Sequence, residues 1–201
     1  MSWTGPDIQL WPVYLFGALL PWYGYLIADQ LVAIAEKHQA YRIFEVGGGR
    51  GQLAFDILHR LRDKYPHIYR KIRYTIIDLS HTLGIYQKKK LYGFPPVNFI
   101  NASATHLPFF DGALGSSIIL CNEVLADLPS THSSRNESLP KCVRDIVTRA
   151  EIHIKADSYF NVGAFEFLLE ARRVLTSGAL LIIEYGVEED PQGRIPVSYT
   201  H

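Results

Sequence analysis

The run FEVGGGRGQLAFDIL (44–58) places a carboxylate, Glu45, two residues ahead of the glycines Gly47, Gly48, Gly49 and Gly51. A turn so rich in glycine lets a ligand come against the backbone, because no Cβ stands in the way. Two ligand classes use such a turn between a strand and a helix: dinucleotides and S-adenosyl-L-methionine. The hexapeptide GRGQLA (49–54) satisfies the loose form G-x-G-x-x-A, a weak match taken alone. Electrostatics separates the two classes. A dinucleotide lays its pyrophosphate against the glycines and the helix N-terminus, and Glu45 would oppose that anion. S-adenosyl-L-methionine brings an α-ammonium and a sulfonium, which a carboxylate beside the turn suits, directly or through water. Glu45 therefore favours the methyl donor.

Asp78 closes the β-branched run RYTIIDL (73–79). A carboxylate at a strand end can accept both ribose hydroxyls, so Asp78 supports a nucleoside of either kind. It stands further beyond Gly51 than the roughly 20 residues of the dinucleotide fingerprint. Capping of the following helix is its structural alternative. Asn101 and Ala102, at the end of VNFINA (97–102), complete the cofactor-binding set with Glu45, Gly47, Gly49, Gly51 and Asp78. At the end of GSSIILCN (115–122) come Asn122 and Glu123, with Asp127 about one helical turn on, as the catalytic candidates. The sequence there is NEVL, without the Asn/Asp-Pro-Pro-aromatic pattern that stacks on a planar base, which disfavours nucleobase substrates. Two acids suit a guanidinium, whose pKa above about 12 keeps its lone pair unavailable. Paired carboxylates hold it in a fixed fork and draw its charge away from the attacking nitrogen. Glu123 and Asp127 can alternatively be read as acids drawn to a helix N-terminus.

The elements that must position these residues alternate. From Gln39 onward, YRIFEV (41–46), RYTIIDL, VNFINA, GSSIILCN and GALLIIEYG (178–186) read as strands. Helical patterns follow the first strand through about Lys64, follow the second with Leu83, Tyr86 and Leu91, and precede the last in GAFEFLLEARRVL (163–175). Such alternation predicts an α/β, doubly wound, mostly parallel sheet of the Rossmann-like kind, with ligands at the carboxyl ends of its strands. Residues 130–158 read as a polar insertion and surface loop, with PSTHSSRNES at its start. Residues 1–38 are read as an N-terminal helical segment packing on a 39–201 domain. Within that segment VYLFGALLPWYGYLIA (13–28) is apolar, but Pro21, Gly17 and Gly24 interrupt it. It is read as a buried, broken helix and not as a transmembrane segment.

Composition narrows the function classes. Twenty basic residues balance twenty acidic ones over 201 residues, so no global field attracts nucleic acid or an acidic membrane. The two cysteines are too few for a disulfide framework. The eight histidines are scattered singly, so no metal site is expected.

EVGGGRG resembles motif I of class I methyltransferases, E/D-x-G-x-G-x-G. CNEVLADLP (121–129) resembles the N-E-x-x-D-A-L-P segment of the MidA-like family, the mitochondrial complex I assembly methyltransferases. GGGRGQLAFDIL, IIDLS and GALLIIEYG fall in that family's order, and LFG (15–17) matches its N-terminal segment. The resemblance runs from about Gly5 to Gly186 and implies S-adenosyl-L-methionine as cofactor. It also implies methylation of a protein arginine, in the mitochondrial members on a complex I subunit. Location follows from it too: the mitochondrion in a eukaryote, though no transit peptide is visible, and the cytoplasm otherwise. A small-molecule methyltransferase using 130–158 as a lid, and a non-catalytic assembly module of the same fold, are the competing readings.

Class I methyltransferases usually end in an antiparallel strand pair after the fifth strand. Few residues follow Gly186, and they are mostly polar with Pro191 and Pro196. The expectation is a sheet ordered 3-2-1-4-5 that lacks the pair, as in a trimmed or degenerate domain. The apolar fifth strand would then lie at an open edge and favour self-association or pairing with a partner.

Overall fold

The computed structural model describes residues 21–94, 97–132, 139–149 and 159–184. Helix α1 (Pro21–His38) precedes β1 (Arg42–Val46), α2 (Gln52–Lys64), the short α3 (Pro66–Tyr69) and β2 (Arg73–Asp78). Then come α4 (His81–Lys90), β3 (Val97–Asn101), β4 (Gly115–Asn122) and a 3₁₀ turn, Leu125–Asp127. The two-residue strands β5 (Thr131–His132) and β6 (Tyr159–Phe160) flank α5 (Lys141–Arg149), and α6 (Val162–Val174) leads into β7 (Leu175–Ile183).

Every pairing in the five-stranded sheet is parallel, in the order β3-β2-β1-β4-β7. This is the doubly wound α/β architecture that the alternation implies. β1 is buried from Ile43 through Val46, as a strand covered on both faces must be. Its side chains alternate between two cores. Ile43 joins Leu31, Ile57, Leu61, Tyr74, Ile76 and Ile118 under α1 and α2. Phe44 and Val46 join Ile77, Ile119, Phe167 and Val174 under α6. The order reverses between β1 and β4, so the loops after those strands flank the crevice where ligands bind in such sheets.

Helix α1 runs unbroken through Gly24, where the sequence suggested an interruption; residues 13–20 of the expected segment lie outside the described residues. The glycine serves close packing: a Cβ there would stand 2.4 Å from Asp56 Cβ on α2. The 130–158 insertion is not wholly a loop. Pro140 immediately precedes α5, its carbonyl accepting from the Val143 and Arg144 amides, and β5 pairs antiparallel with β6. The last strand of the sheet starts at Leu175, ahead of the expected 178. The expectation about a terminal strand pair concerns residues after 184 and lies outside the described residues. Among the described residues no helix is long and apolar enough to cross a membrane.

Candidate active site

The glycine turn is built from unequal glycines. Gly47, at φ 72°, continues the β1–β2 ladder by donating to Ile77 O at 2.9 Å. A Cβ on Gly47 would fall 2.4 Å from Val124 Cγ2, so the turn is pressed against the loop after β4. Gly51, at φ 80°, precedes α2 and donates to Gly48 O. Gly49, at φ 51°, is different: a Cβ there meets nothing within 4 Å. The backbone at Gly49 is open to whatever occupies the crevice.

Asp78 ends β2 with both carboxylate oxygens engaged by the protein. Oδ1 accepts from the Ser80 amide at 2.9 Å, and Oδ2 accepts from Gln87 Nε2 at 2.9 Å. The same Gln87 nitrogen donates to Gly49 O at 2.8 Å, so one buried amide ties the glycine turn to the Asp78 carboxylate. Each carboxylate oxygen keeps lone-pair capacity for a further donor. Ser80, not Asp78, caps α4, its Oγ accepting from the Leu83 amide. Asn101 spends its amide on the backbone, donating to Asp78 O and Leu79 O at 3.0 and 2.8 Å, and the Ala102 amide also donates to Asp78 O. These two shape the loop beside a cleft lined by Asp78, Ser80, His81, Gln87, Phe99 and Asn101.

Glu45 is 2% exposed and points into the α1–α2 side of the sheet, where Tyr74 Oη donates to its Oε2 at 3.1 Å. Among the described residues no cation pairs with it. Burial, against the Tyr74 bond and reinforced by the Asp78 charge, pushes its carboxyl up to about 7. So little of it is exposed that its influence on a ligand runs through its field and not through contact.

The end of β4 carries the second half of the site. Asn122 Oδ1 accepts a hydrogen bond from Tyr23 Oη of α1. Glu123 adopts the left-handed conformation, φ 51°, and its amide donates to Ile183 O at 2.8 Å. Glu123 is an exposed residue, but partial desolvation of its carboxyl and then the Glu184 charge raise it above the ordinary range. Glu184, just past β7, accepts from the Val124 and Leu125 amides at 2.6 and 2.5 Å. Capping of this loop, which the sequence allowed for Glu123 or Asp127, thus falls to Glu184. Asp127 lies exposed at the end of the 3₁₀ turn, and Glu184 is the acid whose charge bears on Glu123. Burial and Glu184 push the Cys121 thiol up to about 12, which rules it out as a thiolate nucleophile near neutrality.

Sequence reasoning missed Tyr23, Gln87 and Glu184. Glu184 follows an apolar strand as Asp78 does, so the same strand-end rule would have found it. Gln87 falls midway between Leu83 and Leu91 at helical spacing, a polar residue in an apolar stripe. Tyr23 carries no local signal; only the fold brings it to Asn122.

Residues 26–143 match the model of a family described as "Putative S-adenosyl-L-methionine-dependent methyltransferase". The chain belongs to this family. S-adenosyl-L-methionine is the cofactor of this methyltransferase family, in agreement with the electrostatics of the glycine turn. Among solved structures, a superfamily member from Burkholderia thailandensis bound to S-adenosyl-homocysteine is 21% identical at a TM-score of 0.58. The match covers 84% of this chain and 48% of that one. A native crystal structure from the same organism and superfamily gives 20% identity and a TM-score of 0.59, covering 84% and 50%. At these identities the likeness shows a shared fold. A ubiquinone/menaquinone biosynthesis C-methyltransferase of Bartonella bacilliformis is 32% identical over 74 residues, 35% of this chain and 26% of that protein. The chain therefore spans about half the length of these solved relatives and about a quarter of the curated one.

Proposed function

We propose that this chain is a methyltransferase that holds S-adenosyl-L-methionine at the glycine turn and methylates an arginine of a protein substrate. The observation that carries the reading is the acidic corner at the ends of β4 and β7. Glu123 stands there in a left-handed conformation beside Glu184, on a loop packed against the glycine turn through Val124.

The residues fit the cofactor. The open Cβ direction at Gly49 leaves room for a ligand against the backbone. Asp78 has acceptor capacity for ribose hydroxyls, and a cation bound at the strand ends favours the ionised form of Glu45, whose buried carboxyl is pushed up to about 7. When bound, S-adenosyl-L-methionine supplies an electrophilic methyl group on a sulfonium. The chain's own part is positioning and charge control. Glu123 accepts N–H bonds from the guanidinium and holds its charge away from the nitrogen that is methylated. It then takes the proton which that nitrogen loses. Tyr23 fixes Asn122 beside it.

The similarity of CNEVLADLP to the MidA-like segment supports the finer assignment to arginine methylation in respiratory complex I assembly. On that reading the partner is a complex I subunit, and the protein acts in the mitochondrion of a eukaryote or the cytoplasm otherwise. On this reading β7, one of the two edge strands of the described sheet, is a surface for self-association.

The 74-residue likeness to a quinone C-methyltransferase favours a second reading, methylation of a small molecule. Incubation with methyl-labelled S-adenosyl-L-methionine and a cell extract separates them. Label on protein arginine supports the first reading, label confined to small molecules the second, and no transfer an assembly module without turnover.

A further inference from the structure

Three consecutive amides after β4 are held by two consecutive residues at the end of β7. Glu123 N donates to Ile183 O, and Val124 N and Leu125 N both donate to Glu184 Oε1. A non-glycine residue at positive φ persists only where its surroundings over-determine it. Here the over-determination has named atoms. On the far side of the same loop, Asn161 Nδ2 donates to Leu125 O at 2.5 Å, and Asn161 Oδ1 caps α6. The Val124 side chain in turn lies where a Gly47 Cβ would fall. One carboxylate therefore fixes a loop that carries Glu123 and forms a wall of the glycine turn.

We infer that Glu184 is the positioning residue of the acceptor site, holding Glu123 in its left-handed conformation and keeping Val124 seated against Gly47. The inference rests on the methyltransferase reading for its functional consequence, but its structural content stands apart from any substrate. Glu184 carries a second effect through charge. Tyr23 from α1, Cys121 from β4 and Glu123 from the loop all face it, and its charge disfavours the ionised form of each. A cationic acceptor offsets that repulsion, so the corner selects for positive charge.

Two substitutions separate geometry from charge. Glu184→Gln keeps an oxygen that can accept from both amides, whereas Glu184→Ala removes it. In native-state amide exchange, Val124 and Leu125 of Glu184→Ala should exchange roughly 10- to 100-fold faster, the equivalent of losing charge-assisted hydrogen bonds. Glu184→Gln should stay close to wild type in exchange. Its methyl-transfer rate should show an acid limb displaced to lower pH, because the negative neighbour of Glu123 is gone. Calorimetric titration with S-adenosyl-homocysteine checks that the glycine turn remains competent in the glutamine variant. Wild-type exchange rates in Glu184→Ala overturn the inference, as does an unmoved acid limb in Glu184→Gln. If Glu184→Ala does not fold, the pH profile of Glu184→Gln decides. A wild-type protein that labels no arginine sinks the arginine reading, while the amide exchange still judges Glu184.

Discussion

Glu45→Gln should flatten the pH dependence of folding stability. In the folded protein Glu45 is buried, its carboxyl pushed up to about 7 from the ordinary 4.5. A carboxyl whose folded pKa is raised keeps its proton where the unfolded chain has released it. Its effect is therefore neutral below about pH 4.5, and stability falls as pH rises until the folded group also ionises near 7. Each pH unit between those values is worth about 1.36 kcal/mol, so the loss by pH 8 is roughly 3 kcal/mol. A glutamine does not titrate, and its oxygen can still accept from Tyr74. Asp29 is the contrasting case. Its carboxyl is lowered to about 2, chiefly by the Arg60 hydrogen bond, and that contribution fades only as pH falls below about 4. The two windows do not overlap. Urea unfolding of both proteins at intervals from about pH 5 to pH 8 reads the difference. The wild type should lose roughly 2.5 kcal/mol more than the variant across that range. Parallel curves would refute the burial argument. The same physics reaches function: cofactor cations nearby should favour ionised Glu45, so binding near pH 6.5 (about half a unit below the Glu45 value) should release protons in the wild type and fewer in Glu45→Gln.

Gly49→Ala should fold with a stability loss of about 1 kcal/mol, since its added methyl meets no protein atom but sits at positive φ. It should weaken S-adenosyl-homocysteine binding by at least about tenfold, and unchanged affinity by calorimetry would show that the ligand does not approach Gly49. Gln87→Leu should cost about tenfold or more in the same affinity, because a hydrogen bond to the Asp78 carboxylate is worth about 1.5–3 kcal/mol. An affinity within about twofold of wild type would detach Gln87 from the ribose site.

The parallel sheet and the glycine turn were legible because they rest on local signals: buried β-branched runs, and glycines where φ must be positive. The last strand began earlier than its sequence suggested because Ser177–Gly178 looks like a turn. In the fold Gly178 lies inside β7 at φ 103°, where a Cβ would meet Ser117 O at 2.0 Å. Helix α5 hid behind the polar stretch before Pro140. In the site, Asp78 and Asn122–Glu123 were visible as polar ends of apolar strands. Tyr23 was not, because it reaches the β4 loop from a helix far away in sequence, and the strand-end rule that marks Glu184 says nothing of its bonds to that loop. Gln87 shows the same limit from another side. Its stripe position was visible, but its bond to Gly49 exists only once α4 has packed on the turn.

The most direct measurement is mass spectrometry of methyl groups transferred from labelled S-adenosyl-L-methionine by the wild type and by Glu123→Gln. The account predicts label on guanidinium nitrogens of a protein substrate. In the variant, transfer should fall on the order of 10²-fold while S-adenosyl-homocysteine binding is retained, because only the charge-assisted contact to the acceptor is lost. Equal transfer by both proteins would remove Glu123 from the mechanism, and label found on no arginine would contradict the assignment of the acidic corner to a guanidinium.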